Sequence, residues 1–213
     1  MAETGKSARR RRPTRRAARP LAERIVDETL TVAEEIGWQR VRLRLVAERC
    51  GVPLAEVLEH YRDLDAVADG WFRRAWAAML APPPTGFATR PAHERLNIVL
   101  GRWFDALDPH RHVSAEMIRA KMYPAHPHQW VPLIFNLSRT IHWLRDAAAL
   151  DAVGFRRQIE EMGLTLLFLA TLRVWANDDS EGQEATRAYL QRALACADNA
   201  IACLIGCKAD IPG

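Results

Sequence analysis

Between Leu21 and Ile36 apolar residues return at Ile25, Val26, Leu30, Val32 and Ala33, the spacing of one buried helix face. Gly37 follows, a residue suited to end a helix, and Trp38 stands ready to pack under the next turn. Two shorter amphipathic stretches come next, joined at Cys50-Gly51-Val52. In the first, Leu43, Val46 and Ala47 share a face; in the second, Val57 and Tyr61 do. Gly51 sits where the chain turns through a conformation that glycine adopts at little cost. Asp63 is placed as the cap of a further helix, from about Leu64 to Leu80, which Pro82, Pro83 and Pro84 stop. The pattern predicts a helix-turn-helix, a common way to seat one helix in the DNA major groove.

The second half repeats the helical spacing. Helices are predicted near His93–Leu107, Ser114–Met122, Gln129–Leu150, Ala152–Ala176 and Glu184–Ile205. Breaks fall at Asp108-Pro109, from Tyr123 to Pro127, at Asp151, and from Asn177 to Gly182. No strand-like alternation, glycine-rich phosphate loop or internal repeat interrupts them. The expectation is an all-α chain: an arm over 1–20, a helix-turn-helix unit over 21–80, a proline-rich linker over 81–92, a helical bundle over 93–205 and a tail over 206–213.

Charge changes this picture at one end only. The chain has 213 residues and a formal net charge of +4. Residues 1–19 hold eight basic residues against Glu3, a net of +7, so the remainder is slightly acidic. The arm, with Arg9, Arg10, Arg11, Arg12, Arg15 and Arg16, has no apolar periodicity, and Pro13 and Pro20 break any helix. It suits a phosphate backbone, an acidic membrane surface, or solubility alone. No apolar run reaches the roughly 18 residues that span a bilayer, and no apolar stretch follows the arginines as in a secretory signal. Cys50, Cys196, Cys203 and Cys207 fit no CxxC spacing, so reduced thiols in a cytoplasmic protein are the simplest reading.

From Leu21 to about Trp76 the order of elements and the residues Ile25, Val26, Leu30, Gly37, Trp38, Val41, Leu43, Val46, Ala47, Gly51, Val52, Val57, His60, Tyr61, Asp63, Ala66 and Val67 resemble the N-terminal domain of the TetR family of transcriptional repressors. The resemblance implies a homodimer. Its helix-turn-helix would hold operator DNA through Arg42, Arg44 and the short helix carrying Pro53, Leu54, Ala55, Glu56, Leu58 and His60. Its C-terminal bundle would dimerise and bind a small apolar or lipid effector that releases the operator. The positions that read DNA depart from the family. A polar start followed by tyrosine is usual there, whereas here Pro53, Leu54, Ala55, Glu56 and Leu58 occupy it, and Leu64 replaces a frequent lysine. Across residues 20–70 six arginines face eleven acidic residues, poor electrostatics for a groove-binding module.

A second, looser likeness lies in the C-terminal half. Ser138-Arg139-Thr140, Trp143, Asp146, Thr171 to Trp175, Asn177 to Ser180, Thr186 and Tyr189-Leu190 resemble a lipid-binding accessory family of coenzyme Q synthesis with a TetR-like fold and no DNA-binding function. That likeness implies an isoprenoid-binding protein with a degenerate helix-turn-helix as the alternative.

Trp103, Phe104, Trp130, Phe135, Trp143 and Phe168, with Trp175, concentrate aromatics on the C-terminal helices. They read either as core or as the wall of an apolar pocket, and in a bundle the two are compatible. His110, His112, His126 and His128 cluster around two proline-containing loops without a cysteine or carboxylate to complete a metal site. Cys196, Cys203 and Cys207 share a face of the last helix with Ala193, Ala197 and Ala200, a closely packed face and a candidate dimer seam. Ile201, Leu204 and Ile205 allow membrane contact as a lesser reading. Asp178, Asp179 and Ser138 have no partners at catalytic spacing and read as cap and surface residues. No cofactor, metal or enzymatic activity is expected.

Overall fold

The computed structural model describes residues 19–122 and 127–209, without the side chains of residues 127–133, 135 and 198–209. Every regular element among them is helical. The elements are α1 (Leu21–Ile36), a 3-10 turn (Trp38–Arg40), α2 (Leu43–Cys50), α3 (Leu54–His60), α4 (Leu64–Met79), α5 (Ala92–Leu107), α6 (Arg111–Lys121), α7 (Pro127–Ala147), α8 (Gly154–Trp175) and α9 (Glu184–Ala209).

The first four helices form where the apolar spacing places them. α1 buries Ile25, Val26, Thr29, Leu30, Val32 and Ala33, and its last carbonyls are met by the Gly37 N–H, 2.8 Å from the Ala33 oxygen. Gly51 adopts the left-handed conformation (φ 68°, ψ 34°) between α2 and α3, as its place in the sequence requires. The Arg24 guanidinium of α1 donates to the Cys50 carbonyl at 2.7 Å, so the end of α2 is tied down by side chain as well as by packing. Burial pushes the Cys50 thiol pKa up, as suits a small core residue rather than a reactive one. Asp63 caps α4 by accepting from the Ala66 N–H at 2.7 Å. Gly70 of α4 lies under Tyr61, and a Cβ there would meet the Tyr61 hydroxyl oxygen at 3.0 Å; the absence of a side chain lets the end of α3 lie flat on α4.

α4 packs on α1 with one face and on α5 with the other, so Trp71, Phe72, Ala75 and Met79 join one continuous core. α5 contributes Val99, Leu100, Trp103, Phe104 and Leu107, and α8 contributes Leu164, Phe168 and Trp175. The aromatic centre is a set of edge-on and tilted contacts, with Trp103 5.0 Å from both Phe104 and Phe168 and Trp175 5.8 Å from Phe104.

Element limits differ from expectation where a tight turn runs into a helix. Asp108–His110 forms a 3-10 turn continuous with α6, which therefore starts three residues before Ser114. α7 ends at Ala147 because Ala149 takes a positive φ (51°), and α8 starts only at Gly154. Of the two aspartates before α9, Asp178 is 4% exposed whereas the Asp179 side chain is 82% exposed and pairs with Arg111 at 3.2 Å. Asp178 accepts from the Ser180 hydroxyl and backbone N–H and from the Thr186 hydroxyl and backbone N–H, stitching the turn onto the first residues of α9. Burial alone would raise its pKa, but these four donors outweigh burial and hold it at about 2.

A carboxyl with a depressed folded pKa stabilises above its unfolded value and loses that contribution as pH falls through the folded one. Urea unfolding at pH 7 should show Asp178→Asn less stable than the parent by on the order of 2 kcal/mol. That gap should close as the pH is taken from about 5 down to about 2, and a gap that stays constant with pH would contradict the role given to this carboxylate.

Candidate nucleic-acid interface and apolar pocket

α3 is pinned from inside by a single side chain. Val57 is fully buried, and Val52 and Tyr61 pack partly buried at either end. Everything else on the helix faces out or sideways. Pro53, Leu54, Ala55, Leu58, Glu59 and His60 are exposed and Glu56 is half-buried. Neither glutamate has an ion pair or hydrogen bond to a side chain among the described residues. Leu54 and Leu58, 41% and 45% exposed, are two large apolar side chains held in solvent by a well-formed helix.

Beside α3 runs an open concavity of about 990 Å³, bordered by the 3-10 turn, the start of α2, Leu54, and the start of α4. Its rim carries Arg42, Arg44 and Arg62 together with Asp63 and Asp65. Arg42 folds back and donates to the carbonyls of Gln39 (2.9 Å) and Val41 (2.7 Å), which fixes its guanidinium at the mouth of the first turn of α2. Arg44 is 68% exposed and only loosely approaches Glu48, at 3.9 Å. α2 has no side-chain cap, and the N–H groups of Leu43 and Arg44, residues that border the same concavity, have no intrahelical acceptor. Charge and exposed donors of this kind attract an anion such as phosphate. Arg9, Arg10, Arg11, Arg12, Arg15 and Arg16 lie outside the described residues. Arg19, just before α1, is exposed and pairs with Asp27 at 2.8 Å.

The second site lies between α4, α5, α6, α7 and α8. A cavity of about 130 Å³ is walled by Phe72, Trp76, Trp103, Ile118, Met122, Leu137, Phe168, Leu169 and Leu172, with Asp69, Lys121, Asn136 and Thr140 at its polar margin. Lys121 and Asp69 form an ion pair of 2.6 Å there. Thr140 accepts from the Trp76 indole at 3.2 Å. Trp103 is 4% exposed and its indole N–H has no acceptor among the described residues. Of the aromatics expected in a pocket, Trp103 and Phe168 line this one. Phe104 packs behind them in the core, and Trp143 lies one layer out, edge-on to Trp76 at 5.4 Å. Trp130 and Phe135 fall outside the described side chains. Phe72 and Trp76 reach the pocket from α4, a helix that sequence order assigns to the other half of the chain.

α6 joins the two sites. Its C-terminal end supplies Ile118, Lys121 and Met122 to the pocket. Further along, Glu116 accepts from the Trp38 backbone N–H at 2.8 Å. At its start the Trp71 indole donates to Ser114 at 2.7 Å, and His110 lies 2.6 Å from Glu34 of α1. The histidine cluster is thereby divided: His110 serves this α1 contact, His112 lies on α6, and His126 and His128 are outside the described side chains. No group of metal-ligating residues occurs among the described residues.

α8 presents the third feature. Phe155, Ile159, Met162, Leu166 and Leu169 recur at steps of four and three and are 41–76% exposed, a stripe along most of the helix. Cys196 and Ala197 are exposed on α9, which packs along α8; the side chains of Cys203 and Cys207 are not among those described. No helix among the described residues is long and apolar enough to cross a membrane.

No protein-family model matches the sequence, and no curated protein does. Solved structures do. A TetR transcriptional regulator from Nitrosomonas europaea superposes with a TM-score of 0.75 and 36% identity, covering 84% of this chain and 98% of its own. Two further regulators share the fold. One from Rhodococcus sp. RHA1 has a TM-score of 0.60, and one from Rhodococcus sp. described as a putative TetR-family regulator has 0.61; each is 18% identical and covers 83% of this chain, and the match takes in 93% and 97% of their own lengths. All three are described as TetR-type regulators, and the likeness to the quinone-synthesis accessory family is not shown. With this identity spread over nearly the whole length of the Nitrosomonas protein, and with the helix-turn-helix formed as its spacing predicts, the chain belongs to the TetR family of transcriptional regulators.

Proposed function

We propose that the protein is a homodimeric regulator that binds operator DNA through α3 and the rim of the adjacent concavity, and that an apolar effector seated between α4 and α8 releases it. The observation that carries this reading is α3 itself. One side is fixed in the core by Val57 and the other is offered to solvent, beside exposed arginines and the uncapped start of α2. In this reading Arg42, Arg44 and Arg62 neutralise phosphates, the side chains from Pro53 to His60 face the groove, and the arginines of residues 9–16 follow the backbone beyond it.

The stripe on α8 supports the dimer. Five large apolar side chains at helical spacing are unfavourable in water, and two copies laid together would remove them from it. The Cys196 face of α9 would then flank this seam rather than form its centre.

The pocket supports a small effector. Its volume is close to the roughly 150 Å³ that accommodates a single benzene ring. Its wall is apolar, and an oxygen on the ligand would be met at the margin by Lys121 or Asn136. Movement of α6 at Ile118 and Met122 would reach the helix-turn-helix through Glu116 and Trp38. A long isoprenoid would not fit this volume, so the quinone-synthesis alternative is less well supported.

Operator binding should show in fluorescence anisotropy with duplexes from the gene's own neighbourhood. The logarithm of affinity should fall steeply with the logarithm of salt, by about 0.9 per phosphate neutralised. Deleting residues 1–18 should flatten that slope by at least about 4 across the two arms of a dimer, and an unchanged slope would remove the arm from the interface. Light scattering should find a dimer that Leu166→Glu converts to a monomer of the same helical content, with operator binding lost alongside. In a thermal-shift screen, single-ring compounds bearing one oxygen acceptor should stabilise the protein by about 2.7 kcal/mol at a hundredfold excess over Kd. Leu172→Trp, which fills the pocket, should abolish that shift.

A further inference from the structure

The outward face of α3 has a chemistry that phosphate contact does not call for. Val57 points fully inward. A step of about 100° per residue then sets Ala55 and Glu59 on the opposite side, with Leu58 on the flank next to Ala55, and all three are exposed. No arginine, lysine, asparagine or glutamine occurs from Leu54 to His60. The helix therefore lacks the side chains that make two-point contacts to guanine O6 and N7 or to adenine N6 and N7. Instead it presents a methyl group, an isobutyl group and a carboxylate with no ion pair among the described residues.

Each of these has a narrow choice of partner in the major groove. The one apolar group on base edges there is the 5-methyl of thymine. A carboxylate is an acceptor only, repelled by phosphates and by the O6, N7 and O4 acceptors of the other bases. The adenine amino group stands next to N7, so a carboxylate reaching for it meets an acceptor as well. The cytosine N4 amino group is the donor that remains. Arg42, Arg44 and Arg62 sit on the flanking concavity and not on this face, so they hold the duplex without altering what the face can read.

Resting on the operator-binding reading above, we propose that α3 reads a pyrimidine tract on one strand of each half-site: Ala55 and Leu58 pack on thymine methyl groups, and Glu59 accepts from a cytosine amino group beside them. The specificity of this regulator then lies in methyl contacts and one carboxylate, with guanine contacts absent from the recognition helix.

The test is selection of duplexes from a randomised pool by the full-length protein at low salt, followed by affinity measurements on the enriched sequence. The expected half-site holds cytosine next to thymine on the same strand. Replacing each contacted thymine by uracil, which deletes only the methyl group, should weaken binding about three- to fivefold per position. Glu59→Gln is a substitution at an exposed position that leaves the core untouched. It should move the preference at the cytosine position to adenine by about tenfold or more, because glutamine offers the donor and acceptor that adenine matches. Uracil duplexes bound as tightly as thymine ones, a selected half-site without adjacent cytosine and thymine on one strand, or an unchanged cytosine preference in Glu59→Gln would each overturn this inference while leaving operator binding intact. Failure to bind any duplex would overturn both.

Discussion

The Trp38 backbone N–H lies just past the end of α1, where Gly37 (φ 82°, ψ 143°) turns the chain away from the helix's free carbonyls. A buried or half-buried N–H without an acceptor is costly, and the acceptor it finds is the Glu116 carboxylate, 78 positions along the chain. The aim of the helix-turn-helix depends on that bond. Trp38 opens the 3-10 turn that aims α2, α2 sets Gly51, and Gly51 sets the direction of α3. By supplying the acceptor, α6 fixes the helix-turn-helix from the side opposite its solvent face. The Trp71–Ser114 and Lys121–Asp69 contacts hold the same helix against α4, so α6 cannot shift along α4 without disturbing the turn ahead of α2.

This arrangement separates two demands made on α3. Inward, one buried valine and a tyrosine laid over Gly70 are enough to hold seven residues as a helix. Outward, nothing in the fold constrains what the exposed positions Ala55, Leu58, Glu59 and His60 carry. A scaffold of this kind permits wide variation on the exposed side at almost no cost in stability, because substitutions there break no packing. The unusual leucines and glutamates on α3 are therefore compatible with an intact family fold.

The packing of the first half is legible in the sequence because each inference there rests on a local rule. The α1 periodicity, the left-handed glycine at 51 and the Asp63 cap all involve residues within four positions of one another. The pocket is less legible because its wall is assembled across the chain. Trp103, Phe104 and Phe168 look alike as aromatics on amphipathic helices. Only three-dimensional placement puts Trp103 and Phe168 on a cavity and Phe104 behind them. Phe72 and Trp76 are harder still, since their helix appears by sequence order to belong to the helix-turn-helix alone. The α8 stripe was readable in principle, as apolar residues at steps of four and three. It is masked by a second apolar face, Leu164, Phe168 and Trp175, that makes the helix look buried all round.

The stripe on α8 has a further consequence. If two copies close over it, the folded state is linked to protein concentration, and dilution becomes a destabilising variable like heat or denaturant. At low expression the population of dimers grows as the square of the number of chains. Occupancy of a two-fold site would then respond to synthesis of the protein more steeply than a monomer's could. A helix face that looks like a solubility liability in the single chain would thereby set a threshold for when the regulator acts.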